Sequence, residues 1–335
     1  MSTAHGIHHV SAIAGDPQQN VDFYAGVLGL RLVKKTVNFD DPTAYHLYYG
    51  DEHGSPGSLI TFFPYPRGRK GRAGVGQVAQ TSLAVPEGAI GFWLHRFVTS
   101  GVDHDAPTRR FGQTTLLFRD GDGLQLELVA SAPASDARPW TSRDISAEHA
   151  IRGVHGVTLW EHSLEATEKI LTEGLGFRRD AVEEGTTRFV VAEGGPSRVV
   201  DVRAVGGFLA PVSGAGTVHH VAFRVADDVV ELALRNTVLG LGLSPTPVID
   251  REYFHSVYFR EPGGALFELA TDHPGFTVDE PLERLGSGLM LPPQYEASRT
   301  EIESRLPALH EPLAPPIASM DGDSVDQTRH QGMST

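Results

Sequence analysis

Apolar and polar residues alternate in short runs along most of the chain, and the runs recur in a fixed order. Near the N-terminus, His8-His9-Val10-Ser11-Ala12-Ile13-Ala14 reads as a strand. It stops at Gly15-Asp16-Pro17, where Asp16 predicts a helix cap and Pro17 the first helical residue. The helix is expected to run to about Val27, ahead of Gly29. Strand patterns follow at Arg31–Asn38, Tyr45–Tyr49 and Ser58–Phe63. The order is strand, helix, three strands.

The same order returns three more times. Gly76–Val85 reads as a strand and Ile90–Thr99 as a helix, with strands at Thr114–Phe118 and Leu124–Val129. Val154–Trp160 opens a third unit, in which Ser163 is expected to cap a helix running to about Leu171, with strands at Phe189–Ala192 and Arg198–Arg203. Val218–Val225 opens a fourth, with Asp228 and Glu231 spaced as a capping box for a helix ending near Leu239. Ser256–Arg260 and Ala265–Ala270 close it. The final strands echo one another: Gly123-Leu124-Gln125-Leu126-Glu127-Leu128, Gly264-Ala265-Leu266-Phe267-Glu268-Leu269 and, more weakly, Gly57-Ser58-Leu59-Ile60-Thr61-Phe62. An α+β fold of four βαβββ modules follows. The expected division is a first domain over 5–130, a second over 151–272, an extension over 273–309 with a helix at Glu296–Leu306, and a disordered tail over 310–335, rich in Pro, Ser and Asp.

Composition narrows the chemistry. The 335 residues contain no cysteine, so any metal must be held by nitrogen and oxygen donors, of which 16 histidines are an ample supply. Lys plus Arg is 28 and Asp plus Glu is 42, a net charge of −14 that disfavours phosphate backbones and anionic lipid as partners. The N-terminus lacks the basic and apolar segments of a secretion signal, and no apolar run is long enough to span a bilayer. A soluble cytoplasmic protein is the simplest reading.

Aligning the units isolates a candidate site. Corresponding positions on the opening strands are His9, Gln80, Gly156 and His220; on the closing strands they are Thr61, Glu127, Glu268 and, by a looser alignment, Asp201. Units one and four therefore supply His9, His220 and Glu268, with Thr61 at a fourth corner. Two imidazoles and one carboxylate leave open positions on a metal, the arrangement of non-haem Fe(II) enzymes that bind substrate and O₂ side by side. For these ligands to meet, units one and four must pack together. Strand alternation sends the neighbours His8 and His219 to the opposite face. A basic glycine-rich stretch, Gly68–Gly76, reads as a solvated connection between units one and two.

The chain resembles the vicinal oxygen chelate superfamily and, within it, the PcpA/MhqO-like ring-cleaving dioxygenases of the hydroquinone type. The resemblance is carried by Gly6-Ile7-His8-His9-Val10-Ser11, by Phe23 to Leu30, by Val33 to Asp40, by Thr217-Val218-His219-His220-Val221-Ala222-Phe223, by Asp250-Arg251-Glu252-Tyr253-Phe254, and by Ser256 to Gly264 continuing through Glu268 to Asp272. It implies two barrel-like domains and an Fe(II) enzyme, with Mn(II) compatible with the same ligands. It implies extradiol-type cleavage of a hydroquinone, with a small aromatic diol and O₂ as partners; a homo-oligomer is compatible with it. It implies catalytic roles for Tyr258, Arg251 and His219, and places His8 and Ser11 in the substrate pocket. His255 and Tyr253 are further pocket candidates. Cleavage of a catechol, an O₂-independent glyoxalase-type lyase or isomerase, and a ligand-binding module are the alternatives. Thr61 at the fourth corner speaks against the four-ligand site of glyoxalase-type relatives. The third unit carries Gly156 where catechol-type extradiol enzymes carry a ligand.

Overall fold

The computed structural model describes residues 2–132, 138–142, 144–191 and 197–312. The expected disordered tail lies outside the described residues from position 313 onward. Unit one comprises β1 (Ile7–Ala14), α1 (Pro17–Val21), a π-helical turn over Asp22–Val27, β2 (Arg31–Asn38), β3 (Asp41–Gly50) and β4 (Leu59–Pro64). Unit two comprises β5 (Gln77–Pro86), α2 (Ile90–Ser100), β6 (Thr108–Arg110), β7 (Gln113–Arg119) and β8 (Gln125–Ser131). Unit three comprises β9 (Val154–Glu161), α3 (Glu165–Lys169) with a π-helical turn over Ile170–Gly174, β10 (Arg178–Glu183), β11 (Thr186–Val190) and β12 (Val199–Ala204). Unit four comprises β13 (Thr217–Val225), α4 (Asp228–Gly240), β14 (Ile249–Asp250), β15 (Phe254–Arg260) and β16 (Leu266–Pro274).

Each unit folds its strands in the spatial order first, fourth, third, second, so the first strand is free to pair with another unit. β1 pairs antiparallel with β13, joining units one and four into one eight-stranded sheet. β5 pairs antiparallel with β9, joining units two and three into the other. Each sheet therefore draws strands from both sequence halves, 5–130 and 151–272. Leu47, Ile60, Phe62, Phe118, Phe189, Val221, Phe223 and Phe267 are fully buried in the shared core.

Three strands escape the periodicity argument: β6, β10 and β14. All three are edge strands, short or exposed, and β10 carries no buried residue. Without one buried face there is no alternation to read. Two caps also differ from expectation. The α3 cap position is Leu164, with no side-chain bond. The α4 cap is Asp227, whose carboxylate accepts from the Val230 N–H at 2.9 Å. Glu231 closes no capping box: its carboxylate is buried without a hydrogen-bond partner, and burial pushes it up to about 7. Asp16, by contrast, caps α1 as expected, accepting from the Gln18 and Gln19 N–H groups. The helix expected at Glu296–Leu306 is a 3₁₀ segment over Pro293–Ser298 followed by α5 (Arg299–Arg305).

The extension after β16 is fastened to unit one by a buried ammonium. Lys34 Nζ lies 2.5 Å from both Asp279 and Glu280. The connection through Gly68–Gly76 is also pinned, since Lys70 and Arg72 bridge to Ala215 and Val212 in the corresponding connection between units three and four. No helix among the described residues is long and apolar enough to cross a membrane.

The two sheets also meet at a buried carboxylate. Glu161, at the end of β9, has both oxygens without hydrogen-bond partners, and Glu261 lies in the β15–β16 turn, accepting from Thr167 at 2.8 Å. Burial, then the charge of Glu261, pushes Glu161 up to about 8. The folded chain keeps this proton while the unfolded chain releases it near the ordinary carboxylate value of about 4.3. Stability is thus full below that value and declines as pH rises toward the folded value. Glu161→Gln should melt above wild type by a margin that widens between about pH 5 and pH 9; a margin constant with pH would refute this.

Candidate metal centre and active site

Register within each unit places the corner residues equivalently. Thr61, Glu127, Asp201 and Glu268 lie opposite Ser11, Ser82, Thr158 and Ala222. Each of those is two residues beyond His9, Gln80, Gly156 and His220, so the fourfold alignment holds on all four strand pairs. The β1–β13 pairing then turns His9, His220 and Glu268 toward one point. His9 Nε2 lies 3.2 Å from His220 Nε2 and 3.3 Å from Glu268 Oε2, and His220 Nε2 lies 2.9 Å from the same oxygen. All three residues are buried.

These distances test the fit of a cation. Donors on one face of an octahedron with bonds of about 2.1–2.2 Å stand about 3.0–3.1 Å apart, and the observed separations bracket that value. Glu268 Oε2 is fully buried and faces no group but the two imidazole nitrogens. A carboxylate oxygen facing two imidazole nitrogens is a donor set that suits a cation between them. Ser256 Oγ donates to Glu268 Oε1 at 2.5 Å and fixes the other oxygen. Burial works against the Glu268 charge, but His9 and His220 overcome it and hold the carboxyl well below its usual range.

The neighbouring histidines depart from simple alternation. The β1–β13 register skips one residue at His8 and one at His219, so each is the extra residue of a bulge. The bulge returns each ring to its neighbour: His8 Nδ1 lies 2.9 Å from His9 Nδ1, and His219 Nδ1 lies 2.7 Å from His220 Nδ1. For His9 and His220 to present lone pairs at Nε2, their Nδ1 atoms must carry the hydrogens and the neighbours must accept. Burial, then the charge of His9, holds His8 well below its usual range, and burial with the charge of His220 takes His219 down to about 4. Both stay neutral acceptors at neutral pH.

A cavity of about 460 Å³ opens over the triad, lined by His9, His220, His219, Tyr258, Arg251 and Phe254 from the site and by Asn38, Asp40, His46, Tyr48, Phe63 and Tyr65 from unit one. Its size suits a small-molecule site, for which about 300–1,000 Å³ is usual. Tyr258 packs edge-on against His220, with ring centroids 5.7 Å apart, and burial and the charge of Glu268 keep its hydroxyl protonated. The Arg251 guanidinium sits 5.4 Å from the Tyr258 ring and 3.2 Å from Asp40 at the mouth. His8 and Ser11, expected in the pocket, are not among its lining residues; both are buried behind the metal-facing atoms. His255 and Tyr253 are also elsewhere. His255 bonds Asp228 on α4 at 2.6 Å, and the Tyr253 hydroxyl donates to Asp279. His46 lies on the third strand of its unit, at the position that Ser256 holds in unit four, and neither the first nor the last strands of the units carry a signal for it.

In the second sheet the corner residues are bound by guanidinium groups. Arg188 donates twice to Asp201 at 2.8 Å, and Arg110 reaches Glu127 and Asp201 at 3.4 Å. Gly156 has no room for a side chain, since a Cβ there would stand 2.6 Å from the Val199 carbonyl oxygen. Guanidinium charge occupies the place that a cation would take in the first sheet.

Comparison with known proteins agrees with this architecture. Residues 6–128 match the family described as Glyoxalase/Bleomycin resistance protein/Dioxygenase superfamily. The chain is 46% identical over 305 residues to the Bacillus subtilis (strain 168) protein named "Putative ring-cleaving dioxygenase MhqO", covering 90% of this chain and 95% of that one. It is 36% identical over 308 residues to a chlorohydroquinone/hydroquinone 1,2-dioxygenase of Sphingobium indicum, covering 89% and 94%. The crystal structure of a Bacillus subtilis protein described as a "putative dioxygenase" superposes with a TM-score of 0.89 at 45% identity, over 93% of this chain and 99% of that one. Glyoxalase I from Zea mays shares the fold alone, with a TM-score of 0.57 at 16% identity over 80% and 92%. The chain belongs to the glyoxalase/bleomycin resistance protein/dioxygenase superfamily and, within it, to the ring-cleaving dioxygenases.

Proposed function

We propose that the protein is an Fe(II)-dependent dioxygenase that opens the ring of hydroquinone or a substituted hydroquinone in the extradiol manner. The observation that carries this reading is the open side of the triad: three donors gathered on one face, with the cavity and a permanent cation, Arg251, on the other. The 36% identical relative named for hydroquinone supports the para-diol. His9, His220 and Glu268 would hold the iron. When bound, iron supplies the redox-active centre at which an electron-rich diolate and O₂ are brought together.

The chain's own groups orient the ring and manage charge. Phe254 and Phe63 give the cavity apolar walls for an aromatic ring. Arg251 stays charged: burial opposes it, but Tyr258 and Asp40 more than compensate. It can therefore stabilise an anionic ring oxygen, with the Tyr258 hydroxyl donating beside it. His219, whose Nδ1 accepts from His220, carries its hydrogen on the remaining ring nitrogen and can donate a hydrogen bond to a ring oxygen in the cavity. Thr61 at the fourth corner is engaged by Ser11 at 2.6 Å and His46 at 2.9 Å, which favours a three-ligand site over a four-ligand glyoxalase site.

The direct test is oxygen uptake by anaerobically Fe(II)-loaded protein given hydroquinones or catechols. Consumption with hydroquinones and formation of a ring-opened product are expected; iron-loaded protein that consumes O₂ with neither diol sinks the reading. Arg251→Leu should lower kcat/KM for the diol by about 100-fold while leaving iron content unchanged, the effect of removing one strong donor to a developing anion. An unaltered kcat/KM would remove Arg251 from the chemistry.

A further inference from the structure

Units one and four use the same strand position to orient their corner residues. On β15, Tyr258 lies opposite Glu268 in register; on β3, Tyr48 lies opposite Thr61. Two residues before these tyrosines stand Ser256 and His46. Ser256 holds Glu268 at 2.5 Å, and His46 Nε2 lies 2.9 Å from Thr61 Oγ1. His46 is thus to Thr61 what Ser256 is to the metal-facing carboxylate.

His46 is itself firmly placed. Its Nδ1 lies 2.8 Å from the Tyr48 hydroxyl, and its ring packs against Tyr48 and Phe63 at centroid distances of 4.0 and 4.1 Å. It is buried yet lines the cavity. A threonine hydroxyl offers one hydrogen and two lone pairs. His46 and Ser11 engage two of these three capacities of Thr61. A Thr61 released from His46 could turn its oxygen toward a cation and take up one of the open positions.

We propose that His46 is a positioning residue of the open coordination face, holding Thr61 as a hydrogen-bonding group beside the metal and keeping it from becoming a fourth ligand. The proposal rests on the functional reading above, but its spectroscopic test needs neither the diol nor turnover. Wild type, His46→Phe, Thr61→Val and the double variant would be loaded with Fe(II) under nitrogen. Iron stoichiometry, the electron paramagnetic resonance spectrum of the nitric oxide adduct, and kcat and KM for O₂ and diol would then be measured. Phe keeps the ring packing and removes both hydrogen bonds.

All four proteins should hold one iron per chain, because the triad is intact. His46→Phe should change the rhombicity of the nitric oxide spectrum and lower kcat/KM for O₂ by about tenfold or more, the usual scale for groups that orient a metal site. Thr61→Val should keep the wild-type spectrum, because no hydroxyl is left to reach the metal. The double variant should return to the wild-type spectrum and recover most of the rate, because the hydroxyl that intrudes is gone. A double variant as impaired as His46→Phe, or a His46→Phe spectrum identical to wild type, overturns the proposal. Should His46→Phe not fold, His46→Asn, too short to reach Thr61, takes its place, and His46→Gln, able to bond Thr61, should keep the wild-type spectrum. If wild type consumes no O₂ with any diol, the functional reading fails while the spectra still decide the role of His46.

Discussion

Glu268→Ala is expected to lower the affinity for Fe(II) by more than about 100-fold, beyond what loss of an orienting group costs, because it removes the one anionic donor of the site. Competition against a chelator under nitrogen measures this directly. The metal-free variant should melt below the metal-free wild type, because the buried Glu268 carboxylate faces the His9 and His220 imidazoles, which hold it ionised in the fold. Added Fe(II) should raise the melting temperature of wild type and leave that of the variant unchanged, since a ligand stabilises only the state it binds. Retention of iron at wild-type affinity would exclude the triad as the metal centre.

The largest effect on stability is expected in the other sheet. Arg188→Met should cost about 3–5 kcal/mol, the range for breaking a buried ion pair by removing one partner. Asp201, also buried, would lose both short bonds from Arg188 and keep only Arg110 at 3.4 Å. Urea unfolding gives the number, and Fe(II) binding, which involves the other sheet, should be unchanged. Arg188→Met combined with Asp201→Leu should recover much of the loss, because an apolar pair of similar volume replaces the charges. A loss below about 1 kcal/mol for Arg188→Met would mean that solvent reaches this cluster and that it behaves as a surface pair.

The two variants probe facing positions of the repeat: Glu268 is the corner residue of its unit, and Arg188 lies opposite the corner residue Asp201. Where unit four carries Tyr258 on its third strand, unit three carries Arg188, each opposite its unit's corner residue. The fold thus builds the cup twice and fills it once with an ion pair. This explains why the sheet of units two and three, equal in strand number, has no group of metal-binding residues among its described side chains.

Much of this was legible in single residues. The His9, His220 and Glu268 positions could be matched because each unit presents its corner residues at the same register, and register is a property of short strands. That units one and four must pair followed from chemistry, since donors on separate units are useless unless they meet. Other features were not legible. β6, β10 and β14 have no one-sided burial, so no periodicity marked them. His8 and His219 looked as if they faced away, because alternation assumes an unbulged strand. His46 lay outside the first and last strands on which the comparison of units rested.

By itself, then, the sequence determined the repeat, the element order within each unit and the residue types at the corners, because these depend on local periodicity and on the covalent order of side chains. The tertiary structure alone decided the bulges at His8 and His219, the bonding of His46 to Thr61, the guanidinium cluster around Asp201 and the shape of the cavity. The His46 and Asp201 bonds depend on the register of neighbouring strands within a unit, and the bulges on pairing between strands far apart in the chain, as between β1 and β13. There the mutual fit of two strand edges sets the register, and local patterning carries no record of it.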